Sequence, residues 1–104
     1  MDKALLDTSL AGFEEKAAEA AAMLKSLGNE KRLMILCKLL EHGEMSVMAL
    51  TAQVGLSQSA LSQHLAKMRE EKIVGFRRDA QQIFYHVLDP RVRQLLATLK
   101  TVYC

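Results

Sequence analysis

Few side chains in this sequence are fit for covalent chemistry, and they do not gather in one stretch. The thiols are Cys37 and Cys104; the histidines are His42, His64 and His86. A thiolate can act as a nucleophile, a soft metal ligand or a partner in thiol–disulfide exchange. The histidines fall on separate predicted elements. No nucleophile–base pair or phosphate loop is recognisable, so an enzyme is the least supported class. The denser polar signal is SQSALSQHLAK, Ser57 to Lys67. Hydroxyl and amide groups at that density suit hydrogen bonding to base edges and phosphates.

On a helical wheel over Ser57–Glu70, Leu61, Leu65 and Met68 fall within an arc of about 60° and must face a core. Opposite them lie Ser59, Gln63 and Ala66, with Ser62 on the flank. Small and amide side chains let a helix backbone come close to a major groove and read it. The free N–H groups at the helix start suit a phosphate, and Ser57, Gln58 and Ser59 stand there. A capped, solvated helix is the bland alternative; the turn before it and the hairpin after it favour groove reading. His64 borders the apolar stripe, either as a half-buried ring with a satisfied nitrogen or as a base contact. Lys67 and Arg69 are placed to reach the DNA backbone. Arg77 and Arg78 precede a hairpin turn, with Gln81 and Gln82 after it. Such a tip can clamp phosphates or enter a minor groove, or it can simply be solvated.

The rest of the chain must position this helix. A first helix is expected from about Phe13 to Leu27, with small residues at Ala17, Ala18, Ala20, Ala21 and Ala22 that allow close approach of another helix. Residues 1–10 are expected to be disordered. Gly28 ends the first helix, and Asn29 caps a second over Glu30–His42. Leu33, Leu36, Cys37 and Leu40 form one apolar side, with Ile35 and Leu39 on another, which marks a central helix. Gly43 closes it. Ser46 caps a third helix ending at Val54, Gly55 makes the turn, and Ser57 caps the fourth, which reaches about Glu71. Alternation then predicts strands over Ile73–Arg78 and Gln81–Val87 around a turn at Asp79-Ala80, with Ile83, Tyr85 and Val87 on one face. Asp89 and Pro90 start a last helix with an apolar stripe of Val92, Leu95, Leu96, Leu99 and Val102. The fold class is mainly α with a small β-hairpin: a winged helix-turn-helix in the order α-α-α-α-β-β-α.

The 104 residues suffice for one domain, and half of them are hydrophobic. A chain this small leaves apolar surface uncovered, which favours pairing with a copy of itself. The net charge of +2, from 14 basic and 12 acidic residues, says little by itself. No apolar run approaches the roughly 18 residues that span a bilayer, and Met1–Leu10 lacks the features of a signal peptide. A cytoplasmic protein with no membrane partner is therefore expected. In that reducing setting the two cysteines call for an explanation other than a permanent disulfide.

Three segments together resemble the ArsR/SmtB winged-helix repressors: LKSLGNEKRLMILCKL (Leu24–Leu39), LTAQVGLSQSALSQHL (Leu50–Leu65) and RRDAQQIFYHV (Arg77–Val87). The resemblance implies a homodimer built from the first and last helices, bound to a double-stranded, imperfectly palindromic operator. Many members of that family sense metals. Here Ser46, Met48 and Ala49 stand where the family's metal box has two cysteines and an aspartate, and these cannot replace thiolates. The last helix has Asp89 but no histidine for the family's zinc site. No metal or cofactor is expected. An unconventional site of Cys37, Cys104 and a histidine brought close by folding stays open.

Cys37 together with the terminal TVYC resembles the BigR/SqrR/HlyU subgroup. That resemblance implies that reactive sulfur species or an oxidant links Cys37 to Cys104, by a disulfide or a short sulfur chain, and releases DNA. Read without it, Cys37 on the core stripe is a small buried hydrophobe, and the carboxylate of Cys104 itself discourages its thiolate. Two further readings compete: an anti-repressor that displaces a silencing protein, and a winged helix used only for protein contacts. Lys72 and Ala80 stand where relatives often have glycine. Lys72 must therefore adopt a left-handed conformation, or the helix must end differently.

Overall fold

A computed structural model describes the backbone of residues 3–104 and the side chains of residues 12–104. The elements are α1 (Lys3–Leu27), α2 (Glu30–His42), β1 (Met45–Ser46), α3 (Val47–Val54), α4 (Gln58–Glu70), β2 (Val74–Asp79), β3 (Gln82–Val87) and α5 (Pro90–Tyr103). The helix α1 starts at Lys3, not Phe13. The disorder expected for residues 1–10 falls on positions whose side chains lie outside the described residues.

The caps explain the boundaries. The Asn29 side chain accepts from the Arg32 N–H, Ser46 from Ala49, Ser57 from Ala60 and Asp89 from Arg91. Each satisfies an N–H that the first helical turn leaves without a partner. Pro90 at the start of α5 sacrifices no helical hydrogen bond. Between α3 and α4, Gly55 takes the left-handed conformation (φ 69°) that turns the chain.

One element was not foreseen. The strand β1 pairs antiparallel with β3, giving a three-stranded sheet in the order β1-β3-β2. Two residues are too few to show alternation, and Ser46 also serves as the α3 cap. The hairpin turn is Ala80-Gln81, one residue later than expected, because Asp79 pairs with Gln82. Ala80 takes the positive φ that the tight turn needs (56°).

The core gathers around α2, which packs against α3, β3 and α5. Ile35, Leu36 and Leu39 are fully buried there, with Leu50 from α3, Leu61, Leu65 and Met68 from α4, Val74 from the sheet and Val92 from α5. Cys37 corrects the sequence reading. It is exposed, not buried, because the Leu33–Cys37–Leu40 side of α2 faces an open groove beside α5.

Lys72 does adopt the left-handed conformation (φ 62°). The Ile73 N–H bonds to the Met68 carbonyl (2.8 Å) and the Lys72 N–H to that of Arg69 (3.0 Å). This is the two-bond closure that usually takes glycine, and the two residues it joins, Met68 and Ile73, are both buried in the core. Replacing Lys72 with Gly is expected to raise stability to denaturant by about 1 kcal/mol at most, since the Cβ strain disappears while the chain gains some unfolded-state freedom. A lowered denaturation midpoint would contradict this account of the α4 end.

Candidate nucleic-acid interface

The turn from α3 through Gly55, Leu56 and Ser57 sets α4 on the core by one face only. Leu61, Leu65 and Met68 are buried, and Leu56 packs partly against the same cluster. The opposite face is open: Gln58, Ser59, Ser62, Gln63, Ala66 and Lys67 are all exposed. Among the described residues, Gln58, Ser59, Ser62 and Gln63 have no side-chain hydrogen-bond partner within the protein. Their amides and hydroxyls are thus available to an outside partner. Ser57 is part-used. Its Oγ accepts from the Ala60 N–H at 3.1 Å, which leaves its O–H to donate.

His64 differs from its neighbours. It is half-buried, and the Arg32 Nε–H donates to its Nδ1 at 3.3 Å. Burial first, and the neighbouring Arg32 charge second, push its pKa below the usual imidazole value. One ring nitrogen is thus engaged inside the protein, which sets His64 apart from the open side chains of Ser59 and Gln63.

The two wing arginines also part company. Arg77 is bound by Glu44 through a bidentate pair, with Nη2 to Oε1 at 2.6 Å and Nε to Oε2 at 3.0 Å. Asp79 lies 3.8 Å away, and the guanidinium stacks over the Phe84 ring at 4.6 Å from its centroid. The Arg77 hydrogen bond holds the Glu44 carboxyl below its ordinary pKa, and Glu44 raises that of Arg77. Glu44 is 33 residues away in sequence, so no local pattern announces the pair. Arg78 is exposed and has no carboxylate partner among the described residues. Gln81 and Gln82 are exposed at the tip. Arg69 leans over Phe76, 5.0 Å from the ring centroid. One free arginine and one held by a carboxylate therefore stand at the wing.

A second feature lies away from this surface. The helices α2 and α5 border an apolar groove of about 730 Å³ whose lining includes both Cys37 and Cys104, with Leu33, Leu40, Leu96 and Leu99. Both thiols are free and exposed. No histidine lines the groove, and among the described residues no three His, Cys, Asp or Glu side chains come together. The groove thus brings the two cysteines together without a histidine from the described residues beside them. No helix of the described residues is long and apolar enough to cross a membrane.

The arrangement predicts that Arg78→Ala lowers the salt dependence of DNA binding by roughly one phosphate's worth, while Arg77→Ala leaves the slope unchanged. Titrations of a duplex at several salt concentrations read this directly. Equal loss of slope in both variants would show that the Glu44 pair opens on DNA.

Comparison with known proteins agrees with the geometry. Residues 29–75 match the profile of the bacterial regulatory protein, arsR family. The HTH-type transcriptional regulator YgaV of Escherichia coli is 47% identical over 97 residues, covering 93% of this chain and 98% of that protein. The transcriptional activator HlyU of Vibrio cholerae is 43% identical over 96 residues, covering 92% and 88%. The structure of the transcriptional repressor BigR from Xylella fastidiosa superposes with a TM-score of 0.86 at 42% identity, covering 90% of this chain and 95% of that one. These relatives are transcriptional regulators, not enzymes. The chain belongs to the arsR family of bacterial regulatory proteins, with the family's winged-helix fold.

Proposed function

We propose that this regulator is a homodimeric repressor that grips an operator with α4 and the wing. It lets go when Cys37 and Cys104 become linked through oxidised sulfur. In this reading Ser57, Gln58 and Ser59 meet phosphate at the start of α4, and Ser62 and Gln63 face base edges. Lys67, Arg78 and Gln81 reach the backbone beside them. Pairing is favoured by apolar side chains that α1 and α5 leave uncovered: Phe13 is 51% exposed, Leu24 60% and Val102 68%. A second copy laid on these faces would remove that area from water.

The observation that carries the switch is that two exposed thiols, 67 positions apart in the chain, line one groove. The chemistry balances with a persulfide as the sulfur donor. One cysteine thiolate takes the donor's outer sulfur and releases the donor as a thiolate. The second cysteine thiol then attacks the protein persulfide, closing a disulfide with loss of hydrogen sulfide. If both cysteines are persulfides first, the same step closes a trisulfide. Either link would pull α5 toward α2, whose other faces hold α3 and the sheet. An anti-repressor role has support from the Vibrio cholerae relative, which is named an activator.

Intact-mass spectrometry after treatment with a persulfide donor, with DNA binding measured on the same samples, tests the switch. A loss of two hydrogens, or a gain of inserted sulfur, should accompany loss of binding, and Cys37→Ser should bind DNA without responding. Release of the Cys37→Ser protein by the donor would remove the two-thiol mechanism. The reading helix has a separate test. Gln63→Ala should weaken binding to the preferred duplex by about 1–3 kcal/mol while the dimer persists in sedimentation; unchanged affinity would take Gln63 off the reading face.

A further inference from the structure

A cluster of polar contacts lies behind the reading helix, on the side away from its open face. Arg32 of α2 is its centre. Its Nη1 donates to the carbonyl (3.2 Å) and the Oγ (3.3 Å) of Ser26, near the end of α1. Ser26 is 5% exposed, the one buried polar side chain among the described residues. The Arg32 Nε–H donates to Nδ1 of His64 in the middle of α4. Its Nη1 also lies 3.9 Å from the Glu71 carboxylate at the α4 cap. One guanidinium thus ties three helices together.

Packing alone leaves α4 under-determined. Leu61, Leu65 and Met68 hold it against the core, but burial of apolar surface has no direction and permits small rotations and slides. A hydrogen bond to the middle of the helix does have direction. His64 adjoins Gln63 on the same turn, so whatever fixes the His64 ring also fixes the rotation of the helix backbone that carries Gln63.

We propose that Arg32 is a positioning residue for DNA recognition, acting through His64, and that acid weakens recognition by breaking this contact. The inference rests on α4 being the reading helix. Arg32 is always cationic and has no acceptor. Its bond to His64 therefore requires the lone pair on Nδ1, which fixes the ring as the neutral tautomer with its proton on Nε2. A protonated ring has no lone pair and repels the guanidinium. The charged groups at the ring are Arg32 from α2 and, behind it, Glu71 at the end of α4; α1 contributes the uncharged Ser26. Because burial and Arg32 depress the His64 pKa, the contact is complete above the ordinary imidazole value of 6.5 and is lost as pH falls through the depressed one.

The probe is a duplex selected by the wild-type protein from a random-sequence library at pH 7.5. Its affinity is measured from pH 7.5 down to pH 4.5 in half-unit steps for the wild type and for His64→Asn, whose side chain can place an oxygen near Nδ1 but does not titrate. His42 and His86 titrate in both proteins, so the difference isolates His64. The wild type should lose more affinity than His64→Asn as pH falls, the excess setting in below the ordinary imidazole value of 6.5 and levelling at about tenfold once the ring is charged, the scale of one charge-assisted hydrogen bond. Equal pH ratios would overturn the proposal. Arg32→Ala, checked for helical circular dichroism, should bind the duplex about tenfold more weakly at pH 7.5; wild-type affinity in that folded variant would overturn it too. Failure of the wild-type protein to select any duplex would instead remove the reading of α4 on which the inference rests.

Discussion

Everything in this fold leans on α2. Ile35, Leu36 and Leu39 are completely buried on it, and α3, β3 and α5 all pack against it. A 13-residue helix with apolar side chains on two sides cannot be satisfied by one neighbour. It therefore recruits the helix-turn-helix on one side and α5 on another. The seating of the helix-turn-helix and the groove that holds both thiols are both consequences of how that one helix is covered.

The single-sided packing of α4 follows from the same economy. Its three buried residues satisfy the core, and its remaining faces can be given to small and amide side chains without loss of stability. Polar contacts then supply the direction that apolar burial lacks. Arg32 does this behind α4, Arg77 does it between Glu44 and the sheet, and Arg91 does it where α5 meets α1. Arg91 bonds both the Asp89 carboxylate (2.7 Å) and Glu19, and these hydrogen bonds hold both carboxyls below their usual pKa. Arginine suits each place because its planar fork engages more than one acceptor.

The sequence was most legible where structure is local. Asn29, Ser46, Ser57 and Asp89 announce helix starts because a cap needs only the N–H groups two or three residues ahead. The strained turn at Lys72 was legible for a related reason: a helix that must stop there has few ways to close. What escaped was long-range. The strand β1 exists only because β3 lies beside it. The capture of Arg77 by Glu44 and of His64 by Arg32 joins residues more than 30 positions apart. Cys37 sits in a stripe whose spacing matches a buried face; only the position of α5 turns that stripe into the wall of a groove. Periodicity tells which residues share a face but not what the face meets.

The function proposed for α4 and the wing depends on which surface touches DNA. Hydrogen exchange of the reduced protein, with and without a duplex it has selected, measures this residue by residue. Slowed exchange should concentrate in residues 57–66 and at the wing around residues 78–82, with the core of α2 unchanged. Protection that spares α4 and falls elsewhere would mean that its open Ser and Gln face is a solvated helix surface and that the DNA-reading assignment is wrong.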